Sequence, residues 1–309
     1  MVDFDINWDP ENNFIVNILK KYYDIVISND PEYLFYSCFG YEWTKYDCIR
    51  IFLIGENIRP DFNCCDYAIG FDYMKYEDRY LRYPLYMIYT QDYRLASQKH
   101  IVEKGFLETK TNFCSFVYSN PNSQSPRDEL FKVLSQYRQV DAGGKCFNNI
   151  GYTVNNKVEW QNKYKFSFAF ENSKYNGYTT EKIIQAFASR TIPLYWGNER
   201  IVEEFNPKSF VNCNDKSIEE VVDIVKNIDK NDEEYLNIIR QPIFVDGKCP
   251  QNINEEIALS FVRHIFDQDY CEAKRRSSYF WTRQHEKSFL IYRVYSNLSL
   301  SVKKLLKKK

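Results

Sequence analysis

Residues 163–182 read Lys-Tyr-Lys-Phe-Ser-Phe-Ala-Phe-Glu-Asn-Ser-Lys-Tyr-Asn-Gly-Tyr-Thr-Thr-Glu-Lys, an apolar strand pattern that runs into a polar turn and a helix start. The alternation of Phe166, Phe168 and Phe170 marks a buried strand. Gly177 punctuates the turn, and Thr179 or Thr180 is placed to cap a helix that carries Ile183, Ile184 and Phe187. Glu181 and Lys182 then fall in the first helical turn, beside backbone N–H groups that have no intrahelical partner. Those donors and the helix dipole favour a phosphate or diphosphate, and Lys182 adds a full positive charge. A second group suited to chemistry is Glu56, in Ile54-Gly55-Glu56-Asn57 just past the apolar run 48–53. The loops after the carboxyl ends of strands are where α/β sheets carry reacting groups.

Positioning such groups takes alternating strands and helices. Residues 2–7 alternate as a strand, 14–23 have helical spacing through Ile15, Ile18 and Leu19, and 25–27 resume a strand, which makes a β-α-β opening. Residues 48–53 and 67–71 are further apolar runs. A polar stretch around 91–111 separates this half from a second, in which 113–118, 166–170, 192–196 and 210–212 read as strands and 127–137 and 180–189 as helices. Ser217-Ile218-Glu219-Glu220 is a capping box that opens one more helix. The pattern predicts an α/β protein with two Rossmann-like domains, over 1–110 and 111–273, followed by a tail over 274–309. Gly-x-Gly-x-x-Gly does not occur, which disfavours an NAD enzyme.

The near-neutral net charge of −1 hides an asymmetry: residues 274–309 carry +10 and the rest −11. An acidic body with a basic, aromatic tail argues against nucleic-acid binding, which needs its basic residues spread over one face. In 279–309, Phe280, Trp281, Phe289, Ile291 and Val294 are interleaved with Arg283, Lys287, Arg293 and terminal lysines, the pattern of an interfacial amphipathic helix on an anionic membrane. A terminal helix that packs on its own core has the same pattern, and both readings stay open. Residues 1–8 lack a basic region followed by an apolar core, so the chain is expected in the cytoplasm, peripheral on the cytoplasmic face of the inner membrane. Nine cysteines, an odd count without a Cys-x-x-Cys pair and with Cys64 adjacent to Cys65, fit reduced thiols rather than a disulfide framework, and metal binding by them is the less favoured reading.

Phe170-Glu171-Asn172-Ser173, Tyr178-Thr179-Thr180-Glu181-Lys182 and Ile192-Pro193-Leu194-Tyr195-Trp196-Gly197 together resemble the donor-site signature of the α-1,3-fucosyltransferases, glycosyltransferase family 10. Further matching segments are Gly55-Glu56-Asn57 within 52–62, then 66–72, 79–85, 119–122 and 205–212. In this order they are specific, and the likeness is greatest to short bacterial members that modify lipopolysaccharide. The resemblance implies a GT-B fold, two Rossmann-like domains facing a cleft, with the acceptor held by the first and a GDP-sugar by the second. It implies inverting transfer of L-fucose from GDP-β-L-fucose to O3 of N-acetylglucosamine or glucose in a Galβ1,4-GlcNAc-type glycan, free or lipid-linked, as in Lewis-type antigens.

On that resemblance Glu56 matches the general base, and Arg127 and Lys182 the cation pair on the departing diphosphate. Asn172 and Tyr178 correspond to phosphate or ribose contacts, and Glu181 to an acceptor of hydrogen bonds from ribose or fucose hydroxyls. Gly143-Gly144 reads equally as a close backbone approach to the nucleotide and as a plain turn. No cofactor is required and no metal is expected at the site, a divalent ion being at most stimulatory. The triplets Asp3-Phe4-Asp5 and Asp267-Gln268-Asp269 do not follow a nucleotide-binding strand, and His100, His264 and His285 have no motif around them. Two other readings keep the fold: a different GDP-sugar or α-1,4 regiochemistry, and a non-enzymatic glycan-binding or membrane scaffold, which would have lost Glu56, Arg127 or Lys182.

Overall fold

The computed structural model describes residues 1–98, 102–250 and 253–306, with side chains through residue 295. It divides into two compact units, Met1–Tyr83 with Ile253–Lys309 and Pro84–Asn252. Each is built on a parallel sheet flanked by helices, the α/β class that a GT-B protein requires.

In the first unit helix α1 (Phe14–Leu19) precedes strands β1 (Tyr33–Tyr36), β2 (Ile49–Leu53), β3 (Tyr67–Gly70) and β4 (Tyr80–Arg82). They pair in that order, with Tyr33 opposite Ile49, Ile51 opposite Tyr67 and Ala68 opposite Tyr80. All five residues of β2 are buried because the strand is internal and covered on both faces. Arg50 is tolerated there because its guanidinium donates to the carbonyls of Tyr46 (2.9 Å) and Cys64 (3.3 Å) and to Glu286 (2.6 Å).

Three elements expected near the start differ. Residues 2–7 form no strand: Val2 makes an isolated bridge to Tyr36, and Asp3 turns the chain at φ 60°. The Asp3 carboxylate accepts from the N–H groups of Glu42 (3.1 Å) and Trp43 (2.9 Å), so it anchors a turn. Residues 25–27 are irregular, with Val26 exposed, and the strand that joins the sheet is β1, eight residues on from Ile25. Helix α1 is shorter than 14–23; Asn13 caps it by accepting from the Val16 N–H at 3.1 Å.

The second unit contains α2 (Leu85–Ile88), α3 (Thr90–Ser97), β5 (Asn112–Phe116), α4 (Arg127–Tyr137), β6 (Val140–Ala142), α5 (Lys157–Gln161) and β7 (Tyr164–Phe170). It continues with α6 (Glu181–Ala188), β8 (Ile192–Trp196), β9 (Val211–Asn212), α7 (Ile218–Lys230) and α8 (Asp232–Ile239). The strand order is β6-β5-β7-β8-β9, which makes β7 the central strand. Phe166, Phe168 and Phe170 pack with Leu130, Phe131 and Leu134 of α4 and with Val221, Val222 and Val225 of α7. From the other face Ser167 meets the Ser115 hydroxyl at 2.8 Å, and Gln161 donates to Ser115 at 3.0 Å. The Ser217–Glu220 capping box is formed and starts α7.

Packing groups the chain differently from a division at 110 and 273. Helices α2 and α3 lie on α6, so 84–110 go with the second unit. Helix α9 (Glu255–Phe266) lies on α1, and with α10 (Tyr270–Ala273) and α11 (Phe280–Leu306) it belongs to the first. The first half of α11 is held to its own unit. Phe289 packs on Trp43 (5.5 Å between ring centroids), Glu286 pairs with Arg50, and Arg293 donates to Thr44 Oγ1 at 2.8 Å. Phe280, Trp281, Ile291, Val294 and Tyr295 face outward. The side chains of Leu298, Leu300, Val302, Leu305 and Leu306, and the lysines after them, lie outside the described residues, as does His100. No helix among the described residues is long and apolar enough to cross a membrane.

Candidate functional site

The carboxyl end of β7 delivers its chain directly into a buried carboxylate. Glu171 is fully buried, with its N–H bonded to Trp196 O at 2.8 Å. Gly197 makes room for it: a Cβ there would come within 2.5 Å of Glu171 Cγ, and its φ of 153° disfavours any other residue. The Glu171 carboxylate accepts from the Thr180 N–H (2.8 Å), the Thr180 hydroxyl (2.7 Å) and Lys182 Nζ (3.3 Å). Thr180 is the N-cap residue of α6, but its hydroxyl does not cap the helix as expected; it holds Glu171 and receives a hydrogen bond from Lys182 at 2.9 Å. Thr179 accepts from Asn198 Nδ2 (3.1 Å), and the Gly177 N–H donates to Asn198 Oδ1 (2.8 Å), so one asparagine sets the turn.

Lys182 Nζ also lies 3.3 Å from Glu181 Oε1. Burial acts to neutralise this ammonium, but the two flanking carboxylates hold its pKa well above the ordinary lysine value, and it stays charged. Burial pushes the Glu181 carboxyl up, and Lys182 and Lys157 outweigh it, leaving the net value below the usual range. Lys157, at the start of α5 where it packs on α6, shares this field. Its pKa is lowered to about 8 by burial and by the Lys182 charge, against the pull of Glu181 and Glu171.

Arg127 begins α4, as expected, and exposes none of its side chain. Its guanidinium stacks over Tyr118 (4.4 Å to the ring centroid) and donates to Asp128 Oδ1 (3.1 Å), Asn172 Oδ1 (3.2 Å) and the Asn120 carbonyl. Tyr118 replaces a rung of the sheet: its hydroxyl accepts from the Phe170 N–H (2.7 Å) and donates to Phe170 O (3.1 Å). Gly144 packs against the same segment, where a Cβ would lie 2.1 Å from Tyr118 O. The Asn172 carbonyl accepts from the Gln124 N–H (2.8 Å) and the Ser123 hydroxyl (3.2 Å), tying the 119–126 loop to the end of β7.

Arg127, Asn172, Glu181 and Lys182 therefore share one end of the five-stranded sheet, with the buried Tyr178. Glu56 is exposed on the loop after β2, in the first unit. His264 bonds Asp78 (2.7 Å), and of the acidic triplets Asp267 accepts from the Tyr23 hydroxyl (2.6 Å) while Asp3 anchors the turn described above. Sequence reasoning gave no role to Glu171, Tyr118, Lys157 or Asn198. An acid directly after the Phe166, Phe168, Phe170 alternation was a visible signal for Glu171; the others depend on partners remote in the chain.

An ensemble of cations and hydrogen-bond acceptors at a helix start is suited to a diphosphate ester with hydroxylated substituents. Comparison with known proteins agrees. Residues 1–89 match the alpha-(1,3)-fucosyltransferase FucT N-terminal domain, and 107–240 the glycosyltransferase family 10 (fucosyltransferase) C-terminal domain. An alpha-(1,3)-fucosyltransferase FucT of Helicobacter pylori is 35% identical over 84% of this chain and 63% of its own length. A putative fucosyltransferase of Acanthamoeba polyphaga mimivirus is 31% identical over 72% of this chain and 38% of its own. The chain thus spans less than two thirds of these relatives. A solved α1,3-fucosyltransferase with GDP-fucose superposes with a TM-score of 0.71 at 33% identity, covering 84% of this chain and 86% of that one.

The buried network predicts the effect of Glu171→Ala. It takes from Lys182 one of its two carboxylates and from the Thr180 N–H its acceptor, and the protein loses about 3–5 kcal/mol of stability, measured by urea unfolding. A loss no larger than that from Glu203→Ala, which breaks the exposed Arg200–Glu203 pair, would contradict this role.

Proposed function

Because the chain belongs to glycosyltransferase family 10, the fucosyltransferases, we propose that it transfers L-fucose from GDP-β-L-fucose to a glycan hydroxyl. The acceptor in this reading is O3 of N-acetylglucosamine or glucose in a Galβ1,4-GlcNAc-type chain, the product a Lewis-type α-1,3 linkage on a lipopolysaccharide O-antigen. The observation that supports it most is the Lys182 ammonium held charged between Glu171 and Glu181 at the start of α6. Glu56 takes the proton of the acceptor hydroxyl as that oxygen bonds to the anomeric carbon, and the bond to the diphosphate breaks on the opposite face, inverting the centre. Charge then grows on the departing GDP, where Lys182, Arg127 and Lys157 lower the barrier without a required metal. Arg127 has donors beyond its three hydrogen bonds, and reaches phosphate by exchanging Asp128 or Asn172 for a phosphate oxygen. Asn172 and Tyr178 contact phosphate or ribose, and Glu181 accepts from sugar hydroxyls.

Glu56→Gln is expected to lower transfer to a glycan panel, read by mass spectrometry, by about 10²–10⁴-fold with the GDP dissociation constant unchanged. Wild-type turnover would remove Glu56 as the base. If another GDP-sugar turned over in place of GDP-fucose, the donor assignment would fail while the fold reading stood.

The lysine at about 8 gives the donor site a pH dependence. Below that value Lys157 is protonated and attracts the diphosphate; above it the charge is gone. GDP binding measured by calorimetry should weaken by roughly tenfold between pH 7 and 9, the worth of one charge-assisted contact. Lys157→Met should bind weakly at both ends and lose that slope; an unchanged slope would exclude Lys157 from the site.

We further propose that α11 docks on the anionic cytoplasmic face of the inner membrane, with Phe280, Trp281, Ile291 and Val294 inserted and Arg283 and Lys287 at the headgroups. Truncating after Arg276 would also strip Glu286 from Arg50 and Phe289 from Trp43, so paired point changes are the cleaner test. Phe280→Ser with Trp281→Ser should reduce sedimentation with anionic vesicles roughly tenfold and leave activity on soluble acceptors intact. Undiminished sedimentation would overturn the membrane reading.

A further inference from the structure

Away from the transfer site, three side chains of different chemistry converge beneath α11. Asp61 Oδ2 lies 2.6 Å from His285 Nε2 and 3.5 Å from Cys64 Sγ, and all three atoms lie within 4.8 Å of one another. Asp61 and Cys64 come from the loop between β2 and β3, His285 from the second turn of α11. The carboxylate is aimed. Its other oxygen, Oδ1, accepts from the backbone and side-chain N–H groups of Asn63, each at 3.0 Å, which turns Oδ2 toward the imidazole and the thiol. Such outer hydrogen bonds are how metal sites orient their ligands. Cys64 is buried, its backbone pinned by Asp61 O at 2.8 Å, and the His285 ring is braced edge-on by Phe289.

We propose that Asp61, Cys64 and His285 form a zinc site, completed by a water, that fastens α11 to the loop between β2 and β3. A thiolate, an imidazole and a carboxylate suit Zn²⁺ better than the oxygen-seeking Mg²⁺ or Ca²⁺. Tetrahedral bonds of about 2.3 Å to sulfur and about 2.0 Å to nitrogen and oxygen put the S–O edge near 3.5 Å and the N–O edge near 3.3 Å. The first is already met. The second needs the half-exposed imidazole to withdraw by roughly 0.7 Å, a small rotation that replaces a hydrogen bond with two metal bonds. Binding forms the Zn–S bond as the thiol proton leaves to solvent, with no change of oxidation state. The two negative ligands then neutralise the ion's charge, so a neutral group sits at the half-buried position.

No linear motif announces this set, because its third ligand lies 221 residues beyond Cys64 in the chain. It is independent of the transfer reading and would hold whatever sugar the protein uses. The neighbouring Cys65 is not a ligand, its thiol pointing instead to Asp61 O at 3.3 Å.

The full chain, stripped with a chelator, is titrated with Co²⁺ and then Zn²⁺. The expected result is one Co²⁺ per chain with a thiolate charge-transfer absorption, displaced by Zn²⁺, and slower proteolysis within α11 in the loaded protein. His285→Ala, at an exposed position, should weaken binding by more than about 100-fold with an unchanged circular dichroism spectrum. Cys64→Ser should abolish the absorption, whereas Cys249→Ser and Cys271→Ser, at exposed thiols, should leave it intact. Absence of the absorption, its persistence in His285→Ala, or its loss with either exposed cysteine would overturn the proposal.

Discussion

The second unit is organised around one buried ion pair, Lys182 with Glu171, at the end of its central strand. Taking two charges out of water is costly unless each is fully hydrogen-bonded, and breaking such a pair from one side costs more than the pair contributes. The surrounding residues meet that condition. Thr180 gives Glu171 both its N–H and its hydroxyl, Gly197 leaves the space, and Glu181 supplies the second carboxylate that keeps Lys182 charged. The local sequence from Phe170 to Lys182 is thus constrained by electrostatics as much as by the helix it starts.

That origin explains which parts could be read in advance. Periodicity located β7, α6, β8 and α4 closely, because each is long enough for its apolar spacing to exceed chance; β7, β8 and α4 share one aromatic core, and α6 lies on β7 and β8. It failed where elements are short or held by single contacts. The first strand is 33–36 rather than 25–27, since four apolar residues beside β2 bury more than three with no neighbour to pair. The three-residue β4 carries Arg82 and gave no run. Thr180 occupied the position of a cap and served Glu171 instead, a choice invisible without the buried carboxylate. The role of Arg127 was legible as a position, but its burial under Tyr118 and Asn172 was not.

The grouping of 253–309 with the first unit has the same kind of cause. Helix α9 finds its apolar partner in α1, and α11 finds Arg50, whose guanidinium in a buried strand requires a carboxylate. Glu286, the single acid in a tail of eleven basic residues, is that partner. Of the two readings of the tail, packing on its own unit is formed through Trp43, Arg50 and Thr44, and the aromatic residues of its other face are exposed.

Charge balance limits what Lys182 can do alone. With Glu171 and Glu181 on either side it belongs to a net negative triad, which would repel a diphosphate as a whole. The positive end of α6 and a second ammonium, Lys157, bring the local balance to neutrality or slightly above it. Arg127 then decides the sign, because its burial makes its charge strong at short range and its partner Asp128 is the more solvated of the two. An anionic ligand that drew Arg127 away from Asp128 would gain a cation while water screened the acid left behind. In the proposed reading a diphosphate would therefore compete with these carboxylates for three cations, and the number of oxygens it presents at once is what would favour it.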